Sequence, residues 1–155
     1  MTKPLSPQTD SFPLAWEGDD ALDRERFDKE NAADKSCPNF IGRYIQCVAT
    51  LDWQSLAKPD ATVGLYWFRP ITGMRLVRLQ DVRGEVERSA YAFRMALAKT
   101  ENLPDHTFDR KRDPEAQRLG EMITEESCFA AFDESVVIQL GQLVLLRSES
   151  LRPPS

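Results

Sequence analysis

Residues 62–82 read TVGLYWFRPITGMRLVRLQDV, and the fold turns on how this stretch is parsed. Thr62 to Phe68 is rich in β-branched and aromatic residues, which suit a pleated, half-buried surface. Arg69 to Gly73 holds both a proline and a glycine, the two residues that set turn geometry. Met74 to Val82 reads as the next strand. With so short a connection, the two strands are expected to pair as a hairpin.

Working outward, Phe40 to Leu51 (FIGRYIQCVATL) is enriched in Ile, Val and Tyr and alternates in part, so it reads as a strand before the hairpin. Residues 52–61 form a connector with Pro59 and Asp60. After the hairpin, Val86, Ala90, Phe93 and Leu97 recur at helical spacing, which predicts a helix over Glu85–Lys99. Residues 100–112 are polar, carry Pro104 and read as a loop. Asp113-Pro114 has the form of a helix start, an acidic N-cap followed by proline at the first position. Leu119, Met122 and Ile123 would give that helix a buried side. Phe129 to Phe132 and Val136 to Arg147 read as two closing strands around an Asp133-Glu134 turn. The expected fold is α+β: one domain with a mostly antiparallel sheet of about five strands in the order helix-β-β-β-α-α-β-β, and one main packed helix.

The chain has 155 residues, enough for one domain with a sizeable core. Four segments are expected. Residues 1–15, rich in Pro, Ser and Thr, read as a disordered lead-in. Residues 16–35 read as an acidic arm or a loosely docked helix capped by Asp19 or Asp20. Residues 36–148 form the α+β domain, and 149–155 a frayed tail. Three cysteines without CxxC spacing point to a reducing compartment rather than a disulfide framework. Cys47 and Cys128 read as buried thiols. No secretory signal is visible, and no apolar run approaches the roughly 18 residues of a membrane span. A cytoplasmic protein without a membrane partner is therefore expected.

The formal net charge is −5, unevenly spread. Residues 1–35 hold nine acidic and five basic side chains, residues 63–119 eight and eleven, and residues 120–155 six and two. The basic middle contains Arg69, Arg75, Arg78, Arg83, Arg88 and Arg94, beside Tyr66, Trp67 and Phe68. Arginine suits phosphate and carboxylate because its planar fork binds bidentately. Arginines with stacking aromatics are also the ingredients of a single-stranded nucleic-acid surface. Read as a strand, however, residues 74–82 put Arg75 and Arg78 on opposite faces. A simpler reading has the arginines answering acids such as Asp81, Glu85 and Glu87.

Catalytic signatures are sparse. The single histidine, His106, lies beside Asp105 and Asp109 in a polar loop, with no second histidine to complete a zinc site. No phosphate-binding glycine loop occurs. The sequence thus calls for no cofactor and no metal, and it presents no catalytic residue beyond that loop. The primary expectation is a small non-enzymatic protein that binds another macromolecule, as an inhibitor, an immunity or anti-defence factor or an accessory subunit. Its partner would be another protein, such as a basic nucleic-acid-handling one. Trp16, with Phe12, Asp19 and Asp20, would form the recognition segment, an aromatic anchor among acids. The alternative is a nucleic-acid-binding accessory protein that uses Arg69, Arg75, Arg78, Arg83 and Arg88.

Overall fold

A computed structural model describes residues 11–150 of the chain. Among them are six α-helices and two small antiparallel sheets. The α+β class stands, but the single five-stranded sheet does not. Strands β1 (Phe12–Leu14), β2 (Leu65–Phe68) and β3 (Leu97–Glu101) form one sheet with β2 in the centre. Strands β4 (Arg110–Arg112) and β5 (Glu121–Ile123) form a second, two-stranded one. The helices are α1 (Arg24–Ala33), α2 (Phe40–Thr50), α3 (Gly73–Gln80), α4 (Glu85–Ala96), α5 (Glu125–Ala131) and α6 (Glu134–Ser150).

Four segments expected as strands are helices. In α2, Asn39 caps the start by accepting from the Gly42 N–H at 2.9 Å. Phe40, Tyr44 and Cys47 are its buried residues, spaced by four and three, the helical period. Residues 74–80 lie in α3, with Leu76 and Leu79 turned into the core. The expected hairpin is therefore absent: β2 pairs instead with β1 and β3, both antiparallel. Residues 129–131 end α5, which Thr124 caps through Ser127 N–H, and residues 136–147 lie in α6. The predicted helix over 85–99 is α4, ending at Ala96 where the chain passes directly into β3. The expected helix after Asp113-Pro114 is only a short 3-10 turn over Gln117–Leu119. Leu119, Met122 and Ile123 are buried as expected, the last two from β5.

The core is built on the crossing of α4 and α6. Gly141 of α6 lies directly against the Ser89 backbone of α4, where an added Cβ would stand 2.6 Å from the Ser89 carbonyl carbon. Tyr66, Phe68, Phe93 and Phe132 stack beside this crossing with ring centroids 5.4–6.3 Å apart. Burying a side chain such as Phe93 contributes on the order of 1.5–3 kcal/mol. No single helix among the described residues is long and apolar enough to cross a membrane.

Part of the expected lead-in is ordered, because residues 12–14 form β1. Tyr44 Oη donates to Ala15 O at 2.6 Å and Trp53 Nε1 to Pro13 O at 2.9 Å, pinning the strand to the domain. Residues 1–10 lie outside the described residues, as do the last residues of the expected frayed tail. Helix α1 starts later than expected and is capped by Asp23, which accepts from Arg26 N–H at 3.3 Å, rather than by Asp19 or Asp20. It buries Phe27.

Candidate anion-binding site

Helix geometry reunites what strand parity divides. On α3, burial of Leu76 and Leu79 leaves Arg75 and Arg78, three residues apart, on one face. Both reach across to the segment that joins β4 to β5. Arg75 donates from Nε to Leu119 O at 3.0 Å and from Nη2 to Glu121 O at 3.4 Å. Arg78 donates from Nη1 to Arg118 O at 3.2 Å. From the other wall, Arg112 donates to Gln117 O at 3.2 Å. Three guanidiniums thus converge on the carbonyls of one short turn. Gly120 ends that turn at φ 83°, a conformation that favours glycine.

Three adjoining cavities follow this seam. The central one, about 490 Å³, is lined by Arg75, Arg78, Arg112 and Arg118 with Gln117, Leu119 and Gly120, and no acid. On one side, a cavity of about 470 Å³ shares Arg75 and adds Arg69, Arg110 and Glu121. On the other, a cavity of about 410 Å³ shares Arg78 and Arg118 and adds Arg83, Tyr91 and the acids Asp81, Glu87 and Glu115. Together they form an arginine-lined trough with an acid-free centre.

Among the described residues the expected self-pairing of the arginine block is confined to one pair. Of the five ion pairs among the described residues, only Arg94–Asp113 involves an arginine of residues 63–119. Arg75, Arg78, Arg88, Arg110 and Arg112 donate to backbone carbonyls instead. A carbonyl satisfies donors without neutralising their charge, so the guanidiniums keep their net positive charge. Arg78 Nε is buried with no acceptor among the described residues.

The Arg94–Asp113 pair, 2.7 Å long with side chains 5% and 10% exposed, holds the trough's far wall in place. Arg94 also donates from Nε to Ile123 O at 2.8 Å, tying α4 to β5. Burial opposes the charge on Asp113. The Arg94 hydrogen bond, the Glu115 backbone N–H and the Arg94 charge outweigh it and hold the carboxyl below its usual range.

Of the five arginines named for nucleic acid, Arg69, Arg75, Arg78 and Arg83 line the trough. Arg88 does not, and donates to Val82 O at 2.9 Å. Arg110, Arg112 and Arg118 were missed by the sequence reading; the run Arg110-Lys111-Arg112, set aside as polar loop, was the available signal. The interleaved aromatics belong elsewhere. Tyr66 and Phe68 are core residues, and Trp67 donates to Glu101 at 3.1 Å with Lys99 over its ring.

The segment expected to serve recognition is docked on its own domain. Phe12 is 2% exposed, stacked near Phe68 and beneath Arg147. Trp16 is half-buried against the core and folds over Gly18. Asp19 accepts from the N–H groups of Ala21 and Gly64 at 2.9 and 3.0 Å, so it serves as a backbone clamp. Asp20 is exposed.

His106 lies in an exposed loop, 5.8 Å from the Phe132 ring. No group of three metal-ligating side chains occurs among the described residues. Cys47 and Cys128 are buried free thiols, and burial pushes Cys128 up to about 12. Fold and site together define an α+β chain with an arginine trough. Known protein families, curated proteins and solved structures offer no match to it.

Proposed function

We propose that this chain is an accessory protein that binds nucleic acid along its phosphate backbone through the arginine trough. The acid-free central cavity carries this reading. Four arginines line it, and none of them forms an ion pair among the described residues. A row of anionic oxygens supplies what the described residues do not. With Tyr66 and Phe68 in the core, Tyr91 is the one aromatic among the described residues on the trough's lining, so contact would fall mainly on phosphates and be largely independent of sequence. A net charge of −5 keeps binding local to the trough.

The test is a binding titration with short single- and double-stranded oligonucleotides at low salt, using wild type and Arg78→Glu/Arg118→Glu. Wild type should bind and the variant should not, with an unchanged circular-dichroism spectrum. A wild-type protein that ignores both oligonucleotides at low salt eliminates the proposal.

Recognition of another protein through the acidic segment is the second reading. It rests on Trp16 and Asp20, the members of that set that reach solvent without serving as core or clamp. Trp16→Ala would then remove partner capture and leave oligonucleotide binding untouched.

A further inference from the structure

We infer that the cavity at the β3 end of the trough is a site for a phosphate monoester, distinct from the diester contacts of the central cavity. Three arginines from separate parts of the fold meet there: Arg69 just past β2, Arg75 on α3 and Arg110 on β4. Arg75 and Arg110 are held from behind through their side chains, Arg69 only through its backbone. The Arg69 N–H donates to Ala96 O at 2.9 Å, Arg75 to the carbonyls of Leu119 and Glu121, and Arg110 to Leu97 O. The Arg69 guanidinium itself has no partner among the described residues. Burial and the nearby charge of Arg69 both lower the proton affinity of Arg110, so two like charges face the same cavity. Glu121 is the only carboxylate on the lining and pairs with neither.

The charge count matches the ligand. Three guanidiniums against one carboxylate leave two positive charges, and a phosphate monoester carries about −1.5 to −2 at neutral pH, whereas a diester carries one. The shape agrees. This cavity is more enclosed than the other two, and Leu97 and Ala98 of β3 bound its far side. A strand entering past Arg75 would end here, which a monoester does and an internal diester does not. The volume of about 470 Å³ also admits a free nucleotide. The terminal phosphate of a strand and a free nucleotide share this chemistry, and the inference does not depend on the trough holding nucleic acid.

The experiment compares an oligonucleotide of about ten residues in three forms: 5′-phosphorylated, 3′-phosphorylated and unphosphorylated. Adenosine monophosphate and inorganic phosphate serve as separate ligands. Arg69→Gln/Arg110→Gln should bring the ratio of affinities for phosphorylated and unphosphorylated strands to one and abolish nucleotide binding. Glu121→Gln, which removes the one opposing charge, should strengthen both, and it keeps the test open should the double variant fail to fold. A terminal phosphate that improves affinity about tenfold or more identifies the strand end as the source, tenfold being about 1.4 kcal/mol. Binding of the free nucleotide with no such preference identifies a free ligand instead. Phosphorylated and unphosphorylated strands that bind equally, with neither adenosine monophosphate nor phosphate bound, overturn the inference and leave the trough reading standing. Nucleotide binding without binding of any unphosphorylated strand does the reverse.

Discussion

Replacing Asp113 by Asn tests how the far wall of the trough is held. Arg94 is 4% exposed, and Asp113 receives its Nη2 at 2.7 Å. Asn keeps the shape but removes the charge, leaving a guanidinium buried without its counter-ion. Breaking a buried pair in this way costs about 3–5 kcal/mol. For a chain of this size each kcal/mol lowers the midpoint by roughly 2–4 °C, so thermal unfolding followed by circular dichroism should move down by roughly 6–20 °C. The sharper arm is the double variant Arg94→Met/Asp113→Leu. An apolar pair of similar volume is often neutral or stabilising relative to a buried ion pair. The lost hydrogen bond to Ile123 O costs about 1 kcal/mol, so the double variant should recover at least about half of the loss. A single variant costing under about 1 kcal/mol, or a double variant no more stable than the single, refutes the account. Arg112 and Arg118 flank Asp113 on the same wall, so Asp113→Asn should also weaken oligonucleotide binding.

Other outcomes follow from the same structure. Since the Asp113 carboxyl is held below its usual value of 3.8, its contribution is full above that range and disappears as pH falls through the depressed value; acid titration of stability should be shallower in Asp113→Asn than in wild type. At the alkaline end, burial raises Tyr66 to about 12 and moves Tyr44, donor to Ala15 O, higher still. Their contribution is full below pH 10 and declines above it, so the loss of stability at high pH should be shallower in Tyr44→Phe, which cannot ionise, than in wild type. If the four arginines of the central cavity each neutralise one phosphate, log Kd against log salt should have a slope of about 2.8 for single strands and about 3.6 for duplex, and Arg118→Gln should lower it by roughly 0.7–0.9; a slope near zero contradicts phosphate contact. Gly141→Ala places a methyl against the Ser89 backbone, 3.1 Å from its Cα. Because backbone cannot step aside as a side chain would, urea unfolding should show a loss of about 1–3 kcal/mol or more.

The fold class was legible in the sequence, and so was α4, because Phe93 and Leu97 lie on a face that a polar face opposes. The other long helices hid their period. Helix α6 buries Val136, Val137, Leu140 and Val144 while carrying Leu143 and Leu145 half-buried beside them, so no polar stripe marks its helical repeat. Its length was the neglected signal: Val136 to Arg147 is too long for an ordinary strand of 4–8 residues. In α2, Ile41 and Ile45 are exposed and Phe40 and Tyr44 buried, so apolar residues on both sides imitated a strand. At α3 the difference between strand and helix bears on the site. Alternation sets Arg75 and Arg78 on opposite faces, whereas a helix sets them side by side, and the trough depends on that difference. The docking of Phe12 was not legible because its partners, Phe68 and Arg147, are remote in sequence.

The carbonyls of Leu119, Arg118 and Gln117 do more than satisfy donors. A free arginine side chain surrenders about 2 kcal/mol of rotamer freedom when a ligand fixes it. In Arg75, Arg78 and Arg112 that loss has been absorbed in folding, because each guanidinium is already tethered to the turn. For the proposed anion the forks would be partly preorganised, so less of the binding free energy would be spent on ordering them. The same tethers set a selectivity: rigid forks favour anions whose oxygens match their spacing and penalise those that would require them to move. A net acidic chain can therefore still carry one locally preorganised cationic surface, which is what the proposed anion site requires.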